Sequence, residues 1–416
     1  VSDLSSDFIS DFMDYSENLL SPAIYRRWSA ICCVAGALER RCWAATDQGA
    51  LFPNLYVLLV GPPGTGKFII EEVRGLWTDA KEPGTLAPAF HVAPDSMTKA
   101  ALIDELQESK SVRVLSNGQQ LIYHSLLIAA EEFSIFMSSY DMEFVGVLNG
   151  IWNNRTEHKE KRRHGPKREV SIPYPQLNLL GGVQPAFLGE LLPENAWATG
   201  LARRTIMVYS NEVKLVPLFG GKQSDSAKRQ KLLGRLGALS RLWGQFQFTP
   251  EAIGHLGDWH MAGGKPVPTH SRLEGYVKSR TVSVIKLALV SSASRGDSKI
   301  IDQIDIVRAL EWLFEAERFM PDIFRDMKGN SDAVVLEELH YFLSQAYSMP
   351  KNRNSAGAPK PLSGDLIWKF LSDKIPSQKI EMIILTAERS GMIARAAGLE
   401  GYWVPKPKPL MGFGVE

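Results

Sequence analysis

The spacing of apolar positions changes period along the chain, and each change marks a different kind of element. Trp28, Ile31, Cys32, Ala35 and Leu38 recur at helical spacing, with Arg26, Arg27, Arg40 and Arg41 at the ends, so residues 1–50 read as helices. From Leu55 the pattern becomes a continuous apolar β-type run, Leu55-Tyr-Val-Leu-Leu-Val60, which reads as a buried strand followed by a helix-compatible segment from Ile69 to Leu76. His91-Val-Ala-Pro-Asp-Ser then precedes a helix predicted over Met97 to Gln107, with Asp95 or Ser96 as its cap. Ser125-Leu-Leu-Ile-Ala-Ala-Glu-Glu is a second buried run ending in paired carboxylates. A helix is predicted near Met142 to Trp152. Gln176-Leu-Asn-Leu-Leu-Gly-Gly-Val-Gln forms another buried strand with a polar tip, and Arg203-Arg-Thr-Ile-Met-Val-Tyr enters one more. Strands alternating with helices over 51–215 predict an α/β core with a parallel sheet.

Beyond 216 the texture differs. Residues 220–231 are rich in Gly, Lys, Ser and Gln and read as an exposed linker, whereas 249–325 is mainly helical. Thr249-Pro250-Glu251 is a helix start with proline at its tolerated first position, and Ser271 to Ser292 and Ile304 to Phe319 are long helical patterns. A polar, Pro-rich linker covers Met349 to Pro361. The tail from 330 reads as three helices and then a short hairpin at Gly398-Leu-Glu-Gly-Tyr-Trp-Val. The expected organisation is a helical segment at 1–50, an α/β core at 51–215, a helical domain at 216–328 and a C-terminal domain at 329–416.

Composition narrows the class. At 416 residues the chain is too long for one core. Its net charge of +1 confines any nucleic-acid contact to local patches. No apolar run approaches a membrane span and no basic-then-apolar leader opens the sequence, so the expectation is a protein of the cytoplasm, with no membrane partner. Cys32, Cys33 and Cys42 sit in an apolar stretch without metal-ligand spacing, which fits core packing in a reducing compartment.

The chemistry concentrates where the first buried strand ends. Gly61-Pro62-Pro63-Gly64-Thr65-Gly66-Lys67 has the P-loop spacing, in which glycines let backbone N–H groups curl around phosphate oxygens and the lysine supplies a mobile charge for the β- and γ-phosphates. Position 68 departs from the pattern: Phe68 stands where a Ser or Thr hydroxyl normally ligates Mg²⁺. ATP binding is expected, and the rate of hydrolysis is the open point. Such an ATPase needs one carboxylate to hold Mg²⁺ through water and another to polarise the attacking water. Glu131 and Glu132, at the end of a buried strand, suit these roles, Glu131 on the metal side and Glu132 as base. Gln184, at the tip of the next strand, is placed to sense the γ-phosphate. Arg280, at the start of a long helix, is a candidate for phosphate contact within its own subunit.

A second concentration of charge lies at Arg155-Thr-Glu-His-Lys-Glu-Lys-Arg-Arg-His-Gly-Pro-Lys-Arg168. Arg155, Lys159, Lys161, Arg162, Arg163, Lys167 and Arg168 stand against Glu157 and Glu160, and Gly165-Pro166 marks a turn. A basic hairpin of this kind makes sequence-independent, salt-dependent contacts to the phosphates of single-stranded DNA.

Taken together, the run from Phe52 to Lys67, the Glu131-Glu132 strand, Leu177-Asn-Leu-Leu-Gly-Gly-Val-Gln-Pro185 and Gly200-Leu-Ala-Arg-Arg-Thr-Ile-Met-Val-Tyr209 resemble AAA+ ring ATPases. Within them, roughly residues 20–325 look like the helicase portion of phage and plasmid primase–helicase proteins. The resemblance implies a ring of identical subunits, a hexamer, working at replication forks in a bacterial host cell, alone or with a primase or another replication partner. It also implies that Arg203 or Arg204 reaches the neighbouring subunit's nucleotide, and that the 155–168 hairpin grips DNA in the central pore. No primase segment is visible, so the chain is expected to be the motor alone or part of something longer. The C-terminal region is similar to a winged helix, with Ile380 to Ser390 as third helix and Arg395 to Val404 as wing. Lys379 and Arg389 on that helix are balanced by Glu381 and Glu388, which leaves DNA binding and protein docking both open.

The expectation is an ATP-dependent DNA helicase or translocase. Two alternatives stand beside it: an ATP-binding loader or initiation scaffold whose hydrolysis is impaired by Phe68, and a regulatory or defence ATPase acting on protein partners, which would not need the basic hairpin.

Overall fold

Five consecutive apolar residues, Tyr56–Val60, have no exposed face in the folded chain, which forces a layer of helices onto each side of the strand they form. The structure, a computed structural model, describes residues 7–406 except 48, 115–116, 138–140, 154–155, 162–168, 193–195, 198–199, 217–224, 269, 297, 328–331, 373 and 376. It divides into two compact units, Val1–Met327 and Lys328–Glu416.

In chain order the strands of the first unit are β1 (Cys42–Thr46), β2 (Gly49–Leu51), β3 (Tyr56–Val60), β4 (Lys110–Val114), β5 (Gln120–Ala130), β6 (Glu157–Lys161), β7 (Glu169–Pro173), β8 (Pro175–Val183), β9 (Thr205–Tyr209), β10 (Gly244–Phe248) and β11 (Ile300–Ile301). The main sheet has the order β4-β5-β8-β3-β9. Within it β5, β8, β3 and β9 are mutually parallel, in a register that sets Tyr56 beside Leu179 and Thr205, and β4 is antiparallel at the edge. Beyond β4, the segment around Val92 bridges Leu127 in parallel. The core is therefore mixed α/β around a mostly parallel sheet.

Alternate residues of β3 serve the two faces. Tyr56 donates its hydroxyl to the Leu148 carbonyl at 2.9 Å and meets the Trp152 ring edge-on, which seats helix Met142–Trp152 on one face. Helices Ala23–Leu38 and Ile69–Asp79 cover the other. These two pack tightly because Gly36 presents only hydrogen to Trp77: a Cβ there would lie 2.6 Å from the indole, whose Nε1 donates to the Cys33 carbonyl at 3.1 Å. The three cysteines are buried, and burial pushes the Cys42 thiol up to about 12, consistent with packing rather than reactivity.

Three local expectations are corrected. Residues 226–231, read as the end of an exposed linker, open the helix Ser226–Leu239. Within 1–50, read as helices, Cys42–Thr46 and Gly49–Ala50 belong instead to the strands β1 and β2. They join β10 and β11 in a second sheet of order β11-β10-β1-β2, so the expected boundaries at 50 and 215 fall inside one unit. Helix Lys99–Glu108 is capped by neither Asp95 nor Ser96. Thr98, immediately before the helix, accepts from the Ala101 N–H at 3.2 Å, while Asp95 pairs with Arg74. At Thr249 the start signal and the observed cap coincide, and helix Pro250–Met261 follows.

The second unit packs helices Asp332–Ser348, Gly364–Ser372 and Ser377–Arg389 around Leu339, Leu343, Ile367, Leu371, Ile380 and Ile383. A small antiparallel sheet borders them, made of β12 (Leu362–Ser363), β13 (Ile393–Arg395) and β14 (Tyr402–Pro405) in the order β12-β14-β13. Among the described residues no helix is long and apolar enough to cross a membrane.

Candidate functional site

In open parallel sheets ligands bind beyond the carboxyl ends of the strands, and here that edge gathers four neighbouring exits. Reading across, β5 ends at Glu131-Glu132, β8 at Gln184, β3 at the 61–67 loop and β9 at Ser210. The loop is stitched to its neighbour at its first residue, because the Gly61 N–H donates to the Val183 carbonyl at 3.2 Å, one residue before Gln184.

Each glycine of the loop has a local reason. Gly64 and Gly66 hold φ of +78° and +76°, a region that side chains avoid. Gly66 has no room as well, since a Cβ would lie 1.9 Å from the Leu20 carbonyl oxygen. At Gly61 a Cβ would stand 2.4 Å from both the Ser210 carbonyl and the Tyr25 hydroxyl. Thr65 is buried and donates to the Pro62 carbonyl at 2.8 Å. Lys67 curls back over the loop, its Nζ donating to the Gly61 and Pro62 carbonyls at 2.8 and 2.9 Å and lying 3.4 Å from Thr65 Oγ1. Pro62 is half-buried and Pro63 exposed at the outer turn.

Lys67 also reports on its surroundings. Burial draws its ammonium below the ordinary lysine value, and Glu132 and then Glu131 pull it back up. Both carboxylates therefore lie within electrostatic reach of the loop lysine, Glu132 half-buried and Glu131 exposed. The turn that presents them is possible because β8 carries Gly181 and Gly182 there: a Cβ on Gly182 would sit 2.2 Å from the Glu131 carbonyl oxygen.

Phe68 occupies the cap position of helix Ile69–Asp79 and supplies no side-chain hydrogen bond. It is half-buried and not a member of the apolar core. Among the described residues no group of three or more His, Cys, Asp or Glu is placed to hold a metal ion. That donor set fits Mg²⁺ in the form in which it accompanies a nucleotide, held by phosphates and water with one or two carboxylates. It does not fit a metal held by protein alone.

The remaining candidates lie elsewhere. Arg203 is exposed, and Arg204 donates to Asn149 Oδ1 at 3.2 Å and Asn153 Oδ1 at 2.9 Å. Both precede β9 and so stand at the amino end of the sheet, opposite the loop. Five residues of β3 at about 3.3 Å each put about 16 Å between the two ends. Arg280 is not available for phosphate: it is buried, its guanidinium pairing with both Glu317 oxygens and donating to the Gly264 and Pro266 carbonyls. The strands β6 and β7 pair as an antiparallel hairpin leading into the amino end of β8. Lys159 and Lys161 are exposed on it, bridged to Glu157 at 3.0 Å and Glu169 at 3.5 Å. Arg155, Arg162, Arg163, Lys167 and Arg168 lie outside the described residues.

Sequence reasoning missed Tyr25. Its hydroxyl donates to the Val60 carbonyl at 2.6 Å and lies 3.2 Å from the Ser210 N–H, clamping β3 and β9 together under the loop. Burial raises its phenol pKa well above the usual value. No spacing signal marks such a residue, because its partners lie far along the chain. The chain matches no protein-family model and no curated protein, so its residues and their geometry carry the functional reading.

Proposed function

We propose that the first unit is an ATPase of the AAA+ kind that acts on DNA as a ring helicase or translocase. One observation carries the reading: a loop whose glycines hold positive φ or leave no room for a Cβ carries a lysine within electrostatic reach of two carboxylates, at adjacent carboxyl ends of parallel strands. The phosphates of ATP would take the Lys67 ammonium from the Gly61 and Pro62 carbonyls, trading neutral acceptors for charge-assisted ones. Glu132, nearer in its influence on Lys67, would orient the attacking water and accept its proton. Glu131 would hold the metal-bound water shell, and Gln184 would sit beside the γ-phosphate. When bound with ATP, Mg²⁺ would supply neutralisation of the charge on the phosphates, its water shell held by Glu131.

Arg203, exposed and about 16 Å from the loop of its own chain, is suited to act only on another subunit's nucleotide, which is the ring part of the proposal. Residues 216–328 would form the helical lid, and the second unit, three helices with a three-stranded sheet, a winged helix. The 155–168 hairpin would hold single-stranded DNA. Neutralising Arg162, Arg163, Lys167 and Arg168 together should flatten the salt dependence of DNA binding by about 0.7 in slope per lost phosphate contact, with ATP affinity unchanged. Equal slopes for parent and variant would leave the hairpin a solvated loop.

A second reading has its own observation. Phe68 gives the metal no oxygen at the helix start, which favours an ATP-binding loader or scaffold that turns over slowly. ATP turnover measured with and without single-stranded DNA separates the two. Brisk, DNA-stimulated hydrolysis supports the motor, tight ATP binding with negligible turnover supports the scaffold, and failure to bind ATP removes both.

A further inference from the structure

The amino end of the sheet holds a cavity of about 670 Å³, within the range of small-ligand sites. Arg40, Arg203, Arg204, Lys278 and Lys286 line it, and among the described residues none of the lining is acidic. We propose that this cavity is a second anion site, taking a small ligand of the polyphosphate class, and that it works independently of the glycine loop.

Three features distinguish it from a patch of surface lysines. First, the charges are set into the wall: Arg40 and Lys286 are buried and Arg204 is half-buried. Burying like charges together is costly without a counter-ion. Second, the acceptors described for two of them are neutral. Lys286 donates to Asn54 Oδ1 at 2.7 Å and to the Asn54 carbonyl at 3.0 Å, while Arg204 uses the amides of Asn149 and Asn153. Burial lowers the Lys286 ammonium well below its ordinary value and Arg204 adds to the lowering; burial and then Arg203 do the same to Arg204. Third, Gln176 is 1% exposed and lines the cavity, yet neither its Oε1 nor its Nε2 has a hydrogen-bond partner among the described residues. A buried amide left so is expensive, and a ligand oxygen accepting from Nε2 removes part of that cost.

Charge selects the ligand rather than a base. The Trp152 ring is already faced by the Lys286 ammonium at 3.7 Å, and the Phe52 ring by the Arg40 guanidinium at 4.3 Å. Several phosphates close together satisfy five cations where a single carboxylate would not. The site requires neither hydrolysis, Mg²⁺ nor DNA; it shares Arg203 with the ring proposal, so Lys278 and Gln176, which that proposal does not use, carry its test.

The test titrates inorganic tripolyphosphate into the full chain carrying Lys67→Ala, which disables the loop lysine, with heat as the readout. Binding is expected, weakening steeply with salt, and ATP should bind this protein no tighter than tripolyphosphate. Adding the exposed-site change Lys278→Glu should weaken binding at least about tenfold, with Lys278→Arg restoring it. Gln176→Leu, close in volume, should weaken it independently. Absence of tripolyphosphate binding to the Lys67→Ala protein overturns the proposal, as does binding that neither Lys278→Glu nor Gln176→Leu affects. A 5′-phosphorylated oligonucleotide that displaces tripolyphosphate at a tenth of its concentration would reassign the site to a DNA end and overturn the small-ligand assignment.

Discussion

The two ends of the parallel sheet are built from the same strands and carry opposite electrostatics. At the carboxyl end the loop lysine lies within electrostatic reach of two carboxylates, and the loop around it is shaped by glycines at positive φ or in close backbone contact. At the amino end five Lys and Arg side chains share a cavity that no acid lines among the described residues. Sheet dipoles are small, so the strands do not impose this asymmetry; the connections do. A tight, glycine-bearing turn leaves β3, whereas Arg203-Arg204 enter β9 and Lys286 rises from the helix Arg280–Arg295. Under the two proposals the difference would separate two ways of handling phosphate. Reacting a phosphate uses an acid–base partner beside the cation, a role that Glu131 and Glu132 would fill at the carboxyl end. Holding an anion needs cations alone.

The sharpest way to break this contrast is to deform the carboxyl end. Gly66→Ala forces a Cβ against the Leu20 carbonyl at a φ of +76°. The expected loss is about 3 kcal/mol or more of stability, read as a large fall in thermal midpoint. An unshifted midpoint means that the loop is not held as described. Next comes the acid–base partner: Glu132→Gln should lower ATP turnover about a hundredfold while calorimetry shows ATP affinity retained. If turnover survives, the carboxylates are only the solvated end of a strand. Lys67→Ala should cost about tenfold or more in ATP affinity and leave the amino-end cavity untouched; unchanged affinity removes the loop from the reading. The smallest structural effect belongs to Phe68→Ser, a half-buried position outside the core. It should change stability by about 0.5 kcal/mol or less while raising DNA-stimulated hydrolysis. No gain in a parent that already hydrolyses briskly would show that the metal is held without this position.

Local features were legible in the sequence and distant ones were not. The glycine loop, the strand before it and the Glu131-Glu132 pair are each written within a dozen residues, and the fold places them at one edge of one sheet. Cys42–Thr46 misled because β1 pairs with Gly244–Phe246, about 200 residues away. An alanine-containing stretch shows no strand signature without that partner. Arg280 stood at the start of a predicted helix, but its actual partner, Glu317, comes from another helix, and no spacing announces that the pair is buried. The cationic cavity is assembled from segments near 40, 52, 152, 176, 204 and 286. Each is ordinary alone, and only tertiary packing makes their charges add.

The contact between Gly66 and the backbone at Leu20-Ser21 has a thermodynamic consequence. The chain just ahead of helix Ala23–Leu38 lies directly against the loop, so the order of that segment and the occupancy of the loop are linked functions, each shifting the other by the same free energy. If the loop binds nucleotide as proposed, whatever holds the first helices in place would raise that affinity. Nucleotide would in turn protect those helices from opening, a reciprocity that hydrogen exchange at residues 20–38 would register with no label near the phosphates.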